Sequence, residues 1–211
     1  MKQTIIFDLD GTVTDSGEGI MNCASYALQY FGLPIPPREE LRSFVGPPLT
    51  DSFVRFGVRP EDAIKAIEVY RSRYVPIGMF ENKPYPSIAE LLRTLHVEGH
   101  ILCVATSKPE GMAITILEHF GLAKYFQHIC GAALDSSRDT KEQVIAHLLT
   151  QCKSDYPRIM VGDTAFDVIG AAAHSIPTIG VAWGYGDVEE MKQAGATAIA
   201  YSTEELLQLF K

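Results

Sequence analysis

Two carboxylates stand one residue apart at the end of an apolar run, in Ile5-Ile6-Phe7-Asp8-Leu9-Asp10. A β-strand alternates faces with a period of two, which would put Asp8 and Asp10 on one side. Their like charges repel, so the pair calls for a cation or a shared proton. Gly11 follows and suits a tight turn, and Thr12 adds a hydroxyl and a backbone N–H. For a single Asp-x-Asp, a solvated turn behind an edge strand is the simpler reading. Other polar groups weigh against it. Thr106-Ser107 closes a second apolar run, Gly162-Asp163-Thr164 closes another, and Asp167 comes a helical turn later. Lys141 opens a helix just after Ser136-Ser137-Arg138. Carboxylates, a hydroxyl and an ammonium around one spot are the inventory for Mg2+-assisted phosphoryl transfer. A hard cation takes the carboxylate oxygens, and cationic or hydroxyl donors take the remaining phosphate oxygens.

These groups meet only if the elements before them run side by side. Strand-like segments at 101–106, 128–132 and 158–162, and one beginning at Thr178, alternate with helical patterns. The helices show apolar faces at Ile88, Leu91, Leu92 and Leu95, at Met112, Ala113, Ile116, Leu117 and Phe120, over 141–149 and near 168–173. Ser202 and Glu205 have capping-box spacing at the start of a last helix. Such alternation implies a parallel sheet with helices on both faces, a doubly wound α/β fold, in which ligands bind beyond the carboxyl ends of the strands. Between Ser16 and Glu81 no strand pattern occurs. A helix with Ile20, Cys23, Ala24, Ala27, Leu28 and Phe31 on one face ends at Gly32, a short helical piece covers 39–44, and another helix covers 61–74. The paired prolines of FVGPPL make 44–49 a loop. The first strand is therefore separated from the rest of the sheet by an all-helical insertion.

The 211 residues include 46% hydrophobic and 21% charged, which suits a globular chain with a sizeable core. A net charge of −8 with no basic run makes a nucleic-acid polymer a poor partner, while a local cation cluster still suffices for a small anion. Cys23, Cys103, Cys130 and Cys152 are far apart and form no Cys-x-x-Cys, so they read as buried thiols in a reducing compartment. Met1-Lys2-Gln3 leads straight into a strand without a targeting pattern or membrane span. The expected location is the cytoplasm, with no membrane partner.

The combination resembles the haloacid dehalogenase-like hydrolase superfamily over essentially the whole chain. Its motifs match in DLDGTVTDS, in VATS, at Lys141 and in GDTAFD. FVGPPL, VYRSRY, ENKPYP, ATSKPE, LDSSR and VAWGYG are similar to the phosphoglycolate phosphatase-like branch, and most of all to bacterial 5′-nucleotidase-like members. Pro86-Ser87 departs from the usual Pro-Gly. The resemblance implies a Rossmann-like core of residues 1–15 and 82–211, a helical cap of residues 16–81, and hydrolysis of phosphoglycolate or a nucleoside 5′-monophosphate. It makes Asp8 the nucleophile that forms an aspartyl-phosphate, and Asp10 the proton donor and acceptor. Mg2+ would be bound by Asp8, the Asp10 carbonyl and Asp163, and the phosphoryl oxygens would be met by Thr106 and Lys141. Asp167, Ser107, Gly11 and Thr12 are supporting residues, with Asp167 orienting Lys141 or a metal-bound water rather than binding metal. Lys108 competes with Lys141 for the phosphate-facing role. Lys141 is preferred because relatives place this lysine at a helix start between the second and fourth motifs.

In this branch the cap selects the substrate, and the candidates here are Gly46 and Pro47 of the loop with Arg71 and Tyr74 of the long cap helix. Phe44 and Phe53 are expected in the cap's own core. Gly184-Tyr185-Gly186 is not a dinucleotide loop, since Glu189 stands where a third glycine is needed. A sugar phosphomutase shares these residues, and an assay of release against transfer separates the two. A metal-independent dehalogenase has no use for Asp10. A phospho-accepting receiver domain also uses strand-end acids but lacks the Asp-Gly-Thr turn and the insertion. Both a monomer and a homodimer are compatible with the sequence.

Overall fold

Strand β1 (Thr4–Phe7) is buried at every residue, as a central strand covered on both faces must be. The computed structural model describes residues 1–135 and 137–211; Ser136 of the LDSSR stretch lies outside them. After β1 come β2 (Thr14–Asp15) and four helices, α1 (Gly17–Tyr30), α2 (Arg38–Leu41), α3 (Leu49–Arg55) and α4 (Ala63–Tyr74). The chain returns through β3 (Lys83–Pro84) to α5 (Ile88–Val97), β4 (Ile101–Pro109), α6 (Glu110–His119) and β5 (His128–Ala132). It ends with α7 (Lys141–Gln151), β6 (Arg158–Gly162), α8 (Ala165–Ala172), β7 (Thr178–Val181), α9 (Val188–Gln193), β8 (Ala198–Ala200) and α10 (Thr203–Gln208).

Six strands form one sheet in the order β5-β4-β1-β6-β7-β8, with neighbouring strands parallel. Thr4 faces Ile101 on one side and Arg158 on the other. The period of two then sorts the core. Ile5 and Phe7 pack with Leu102, Val104, Val161 and Ile179 beneath Leu91, Leu95 and Leu206 of α5 and α10. Ile6 packs on the opposite face with Cys103, Ala105 and Met160 beneath Val144, Ile145 and Leu148 of α7. Each buried Val, Leu, Ile, Phe or Met side chain among them contributes roughly 1.5–3 kcal/mol. The strand order reverses at β1, so its carboxyl end is the switch point at which sheets of this kind bind ligands.

The chain divides into two compact units, Met1–Thr14 with Pro84–Lys211, and Asp15–Lys83. In the second, Phe44 packs edge-on to Phe53 and stacks on Phe56, and Tyr70 stacks on Tyr74. Arg73 grips Glu81 with two hydrogen bonds of 2.7 and 2.9 Å. Gly32 lies at φ +66 just past α1, where Leu33 N–H donates to Leu28 O.

Three features differ from the sequence pattern. Strand β4 runs on to Pro109, because its register against β5 shifts between Ala105 and Pro109 and the ladder resumes at Ala132. Helix α9 and strand β8 are too short to carry a periodicity of their own. The pair β2–β3 has only two residues a side. Among the described residues no helix is long and apolar enough to cross a membrane.

Candidate active site

Asp8 continues the line of β1, and its backbone N–H donates to Val161 O at 2.9 Å. The loop behind it closes on Leu9, whose carbonyl accepts from the N–H groups of Val13 and Thr14, each at 2.9 Å. Leu9 and Val13 plug that loop into the apolar face. Gly11 has φ +85, and a Cβ there would run into the Asp163 carboxylate, so both conformation and space require glycine.

The GDTAFD stretch folds around its own side chains. Asp163 is 1% exposed; Oδ1 accepts from the Thr12 hydroxyl at 3.2 Å and Oδ2 from Tyr185 N–H at 2.8 Å. Thr164 caps α8, and its N–H and hydroxyl donate to Asp167 Oδ2 at 3.0 and 2.8 Å. A side chain at Gly162 would overlap the Asp167 carboxyl.

Lys141 is the first residue of α7, behind a capping box made by Thr140 and Gln143. Its Nζ lies 2.7 Å from Asp8 Oδ1 and 2.8 Å from Asp167 Oδ1, and it donates to Ala105 O at 3.0 Å. Gly170 leaves room for the lysine stem, since a Cβ there would come 2.7 Å from Lys141 Cγ. Lys108 takes the other acid, with Nζ 2.8 Å from Asp10 Oδ2, while its N–H donates to the Thr106 hydroxyl at 3.2 Å. The two opening acids therefore face two different ammonium groups. Strand alternation does not align them, because β1 stops at Phe7 and Asp10 belongs to the loop.

The electrostatics follow from burial. Desolvation raises the Asp8 carboxyl to about 6, with Asp167 and Asp10 adding to the rise and Lys141 opposing it. Burial, then Asp167 and Asp8, push Asp163 well above the usual carboxylate range. For Lys141, burial works against the charge, but Asp167 and Asp8 outweigh it and hold the ammonium protonated. Asp8, Asp163 and Asp167 each bring a carboxylate oxygen within 4.8 Å of the others. Asp10 Oδ1 is buried and has no hydrogen-bond partner among the described residues.

The family described as haloacid dehalogenase-like hydrolase matches residues 5–181. The chain belongs to that family. The hydrolase is 41% identical to the tyrosine-protein kinase PtkA of Mycobacterium tuberculosis over 201 residues, covering 95% of this chain and 69% of that protein. It is 39% identical to a 5'-nucleotidase of Pseudomonas aeruginosa over 190 residues, covering 89% and 86%. A solved structure described as a predicted phosphatase from Clostridium acetobutylicum superposes with a TM-score of 0.93 at 45% identity, covering 100% and 98%. By fold and family the hydrolase stands among phosphatases.

Sequence reasoning about this hydrolase missed one part of the site. Gly184-Tyr185-Gly186, dismissed as a nucleotide loop, is the packing surface of Asp163. Side chains at Gly184 or Gly186 would collide with the Asp163 carboxylate or carbonyl, and Tyr185 supplies the backbone donor. Two glycines two residues apart just after β7 were the available signal, since such a pair marks close backbone approach as well as a phosphate loop. Trp183 adds a hydrogen bond from Nε1 to Thr12 O at 3.1 Å and braces the first loop. Ser107 lies half-buried beside Thr106 in the extended part of β4. Four further candidates belong to the helical unit. Gly46 is exposed at φ +103, Pro47 and Arg71 are half-buried, and Tyr74 is 2% exposed in the aromatic stack with Tyr70.

Proposed function

We propose that the protein is an Mg2+-dependent phosphatase of the cytoplasm that hydrolyses a small-molecule phosphate monoester through a phosphorylated Asp8. The carrying observation is the Lys141 ammonium held between Asp8 and Asp167, with Asp163 alongside, at the carboxyl ends of β1 and β6. All four cysteines are buried and none is in a disulfide, which fits a reducing compartment.

The residues suit a hard cation. Every nearby ligand is oxygen, and the buried carboxylates raise one another's proton affinity, a conflict that a divalent charge relieves. Asp8, Asp163 and the Asp10 carbonyl would hold it. Both Asp167 oxygens are already engaged, by Lys141 and Thr164, so Asp167 serves as the holder of Lys141. Bound Mg2+ supplies charge neutralisation for the phosphoryl oxygens.

In the first step an Asp8 oxygen attacks phosphorus as the ester P–O bond breaks, and Asp10 gives its proton to the departing oxygen. Water then attacks the phosphorus of the acyl phosphate and loses its proton to Asp10, which releases inorganic phosphate and restores the Asp8 carboxylate. Lys141 and the Thr106 hydroxyl donate to the phosphoryl oxygens as charge builds. Thr12, Gly11 and Ser107 hold the loops that carry these groups. Gly46, Pro47 and Arg71 of the helical unit select the remainder of the substrate, and Tyr74 supports them through packing.

A nucleoside 5′-monophosphate is favoured by the 39%-identical nucleotidase, and phosphoglycolate is the other candidate. Phosphate release from a panel of monoesters with Mg2+ tests the reading. Release from members of the panel by the wild type, and from none by Asp8→Asn, is expected; transfer of phosphate between two positions of a sugar without release would replace it with mutase activity.

The 41%-identical PtkA supports a second reading that shares the first half of the chemistry. A tyrosine hydroxyl would then accept the phosphoryl group in place of water, with a nucleoside triphosphate as donor. Incubation with γ-labelled ATP and a tyrosine peptide separates the two, since label on the peptide supports the kinase and label only in free phosphate supports the hydrolase.

A further inference from the structure

A second cluster of metal-ligating groups lies away from the carboxylates, on the outer edge of the sheet. Glu110, Cys130 and His147 each place a ligand atom within 4.8 Å of the other two. They come from the start of α6, the middle of the edge strand β5 and the second turn of α7. From this juxtaposition we propose a binding site for a borderline-soft divalent ion of the Zn2+ type.

The backbone brings the three together. Gly131 is pressed against residues 108–110, where a Cβ would come within 2.5 Å of Lys108 O and 2.7 Å of Glu110 N. That approach sets Glu110 beside the strand carrying Cys130. Arg138 Nη2 and Gly131 N–H both donate to Glu110 Oε2, at 2.9 and 3.2 Å, so Oε1 is the oxygen left to serve as a ligand. The Cys130 thiol is 1% exposed and lies 4.0 Å from Gln151 Oε1. Gln151 Nε2 lies 2.7 Å from His147 Nε2, so the amide sits next to both of these ligands.

The donor set decides which ion fits. One sulfur, one imidazole nitrogen and one carboxylate oxygen are the ligands of a four-coordinate Zn2+, at about 2.0–2.3 Å each, with the fourth place left to water or to the Gln151 oxygen. Mg2+ demands oxygen and near-octahedral geometry, so it stays with the carboxylate cluster. The side chains close inward as the ion enters, and the thiol proton leaves to solvent as the sulfur–metal bond forms. Arg138 offsets the negative charge of the thiolate and carboxylate before the ion arrives. Once bound, the ion ties β5 to the two helices that follow Lys108 and begin with Lys141.

Co2+ is the probe for the full chain, stripped of metal and kept in excess Mg2+. Wild-type protein should take up one equivalent with a thiolate-to-cobalt charge-transfer band in the near ultraviolet, bleached by Zn2+. Cys130→Ser should lose the band and Cys103→Ser should keep it. His147→Ala, at a half-buried position in α7 where alanine favours the helix, should weaken Co2+ binding by about tenfold or more. Zn2+ should also raise the thermal midpoint of the wild type more than that of His147→Ala. Co2+ binding without a thiolate band, or a band that survives in Cys130→Ser, would overturn the site.

Discussion

Lys108 Nζ lies 2.8 Å from Asp10 Oδ2, and both groups are almost withdrawn from solvent. Removing one partner of a buried pair strands the other, at a cost of about 3 kcal/mol. Lys108→Met should therefore destabilise the protein by about that amount in urea unfolding. Combined with Asp10→Asn, the loss should fall short of the sum by about 1–3 kcal/mol, because neither change then strands a charge. Strict additivity would show that the two groups do not interact.

Asp8 and Asp10 should fail in different ways. Asp8→Asn abolishes turnover with every substrate, since an amide cannot form the acyl phosphate. Asp10→Asn loses proton transfer, worth ~10²–10⁴-fold. Nitrophenolate leaves without help, so this variant should still phosphorylate Asp8 from nitrophenyl phosphate and then hydrolyse the intermediate slowly. A burst of nitrophenolate equal to the enzyme concentration, with labelled phosphate trapped on Asp8, is the expected sign. Identical behaviour of the two variants, with neither burst nor label, rules out the division of roles.

Gly184→Ala tests the surface behind Asp163. The added methyl meets the Asp163 carboxylate and must displace it. Affinity for Mg2+, read by calorimetry, should drop about 10–100-fold, in the range seen when the support of a ligand is removed. Gly111→Ala is the control, because nothing lies near its Cβ.

In the helical unit, the Arg73 guanidinium lowers the Glu81 carboxyl from its ordinary 4.5, against the opposing effect of burial. A depressed acid adds stability above its unfolded value, and that stability is lost as pH falls through the folded value. Wild-type protein should therefore lose stability in acid below about pH 4.5, and Arg73→Met should flatten that limb and be less stable at pH 7. Chemical unfolding at pH 3.5, 5 and 7 measures both. An unchanged acid limb in the variant would assign the acid loss to other carboxylates.

The sheet and most of its helices were legible because burial on both faces leaves unbroken apolar runs, as in Thr4–Phe7, and helix faces show clear spacing. The positions of Asp8, Asp163 and Lys141 at strand ends and a helix start followed from the same alternation. Other features depend on partners distant in sequence. The 3.2 Å bond from Lys108 N–H to Thr106 and the run of β4 to Pro109 arise from a register shift against β5, which no local pattern encodes. Tyr185 reaches Asp163 across 22 residues, so its donor role depends on how β6 and β7 pair. Apolar Leu9 prolongs the alternation and so extends the strand pattern to Asp10, whereas the chain turns there to bury Leu9 in the core.

The central strand also sets the order in which this protein can fold. Thr4 pairs with Ile101 and with Arg158, so β1 emerges from the ribosome long before either of its neighbours exists. Until both arrive, an apolar segment remains unpaired along at least one edge, and closing such distant contacts is slow. The carboxylate at its end has no fixed direction through that interval, because the carbonyl that anchors Asp8 belongs to Val161. A nascent chain released before residue 158 would hold the reactive acid but not the frame that aims it, and its bare strand would be open to pairing with other chains.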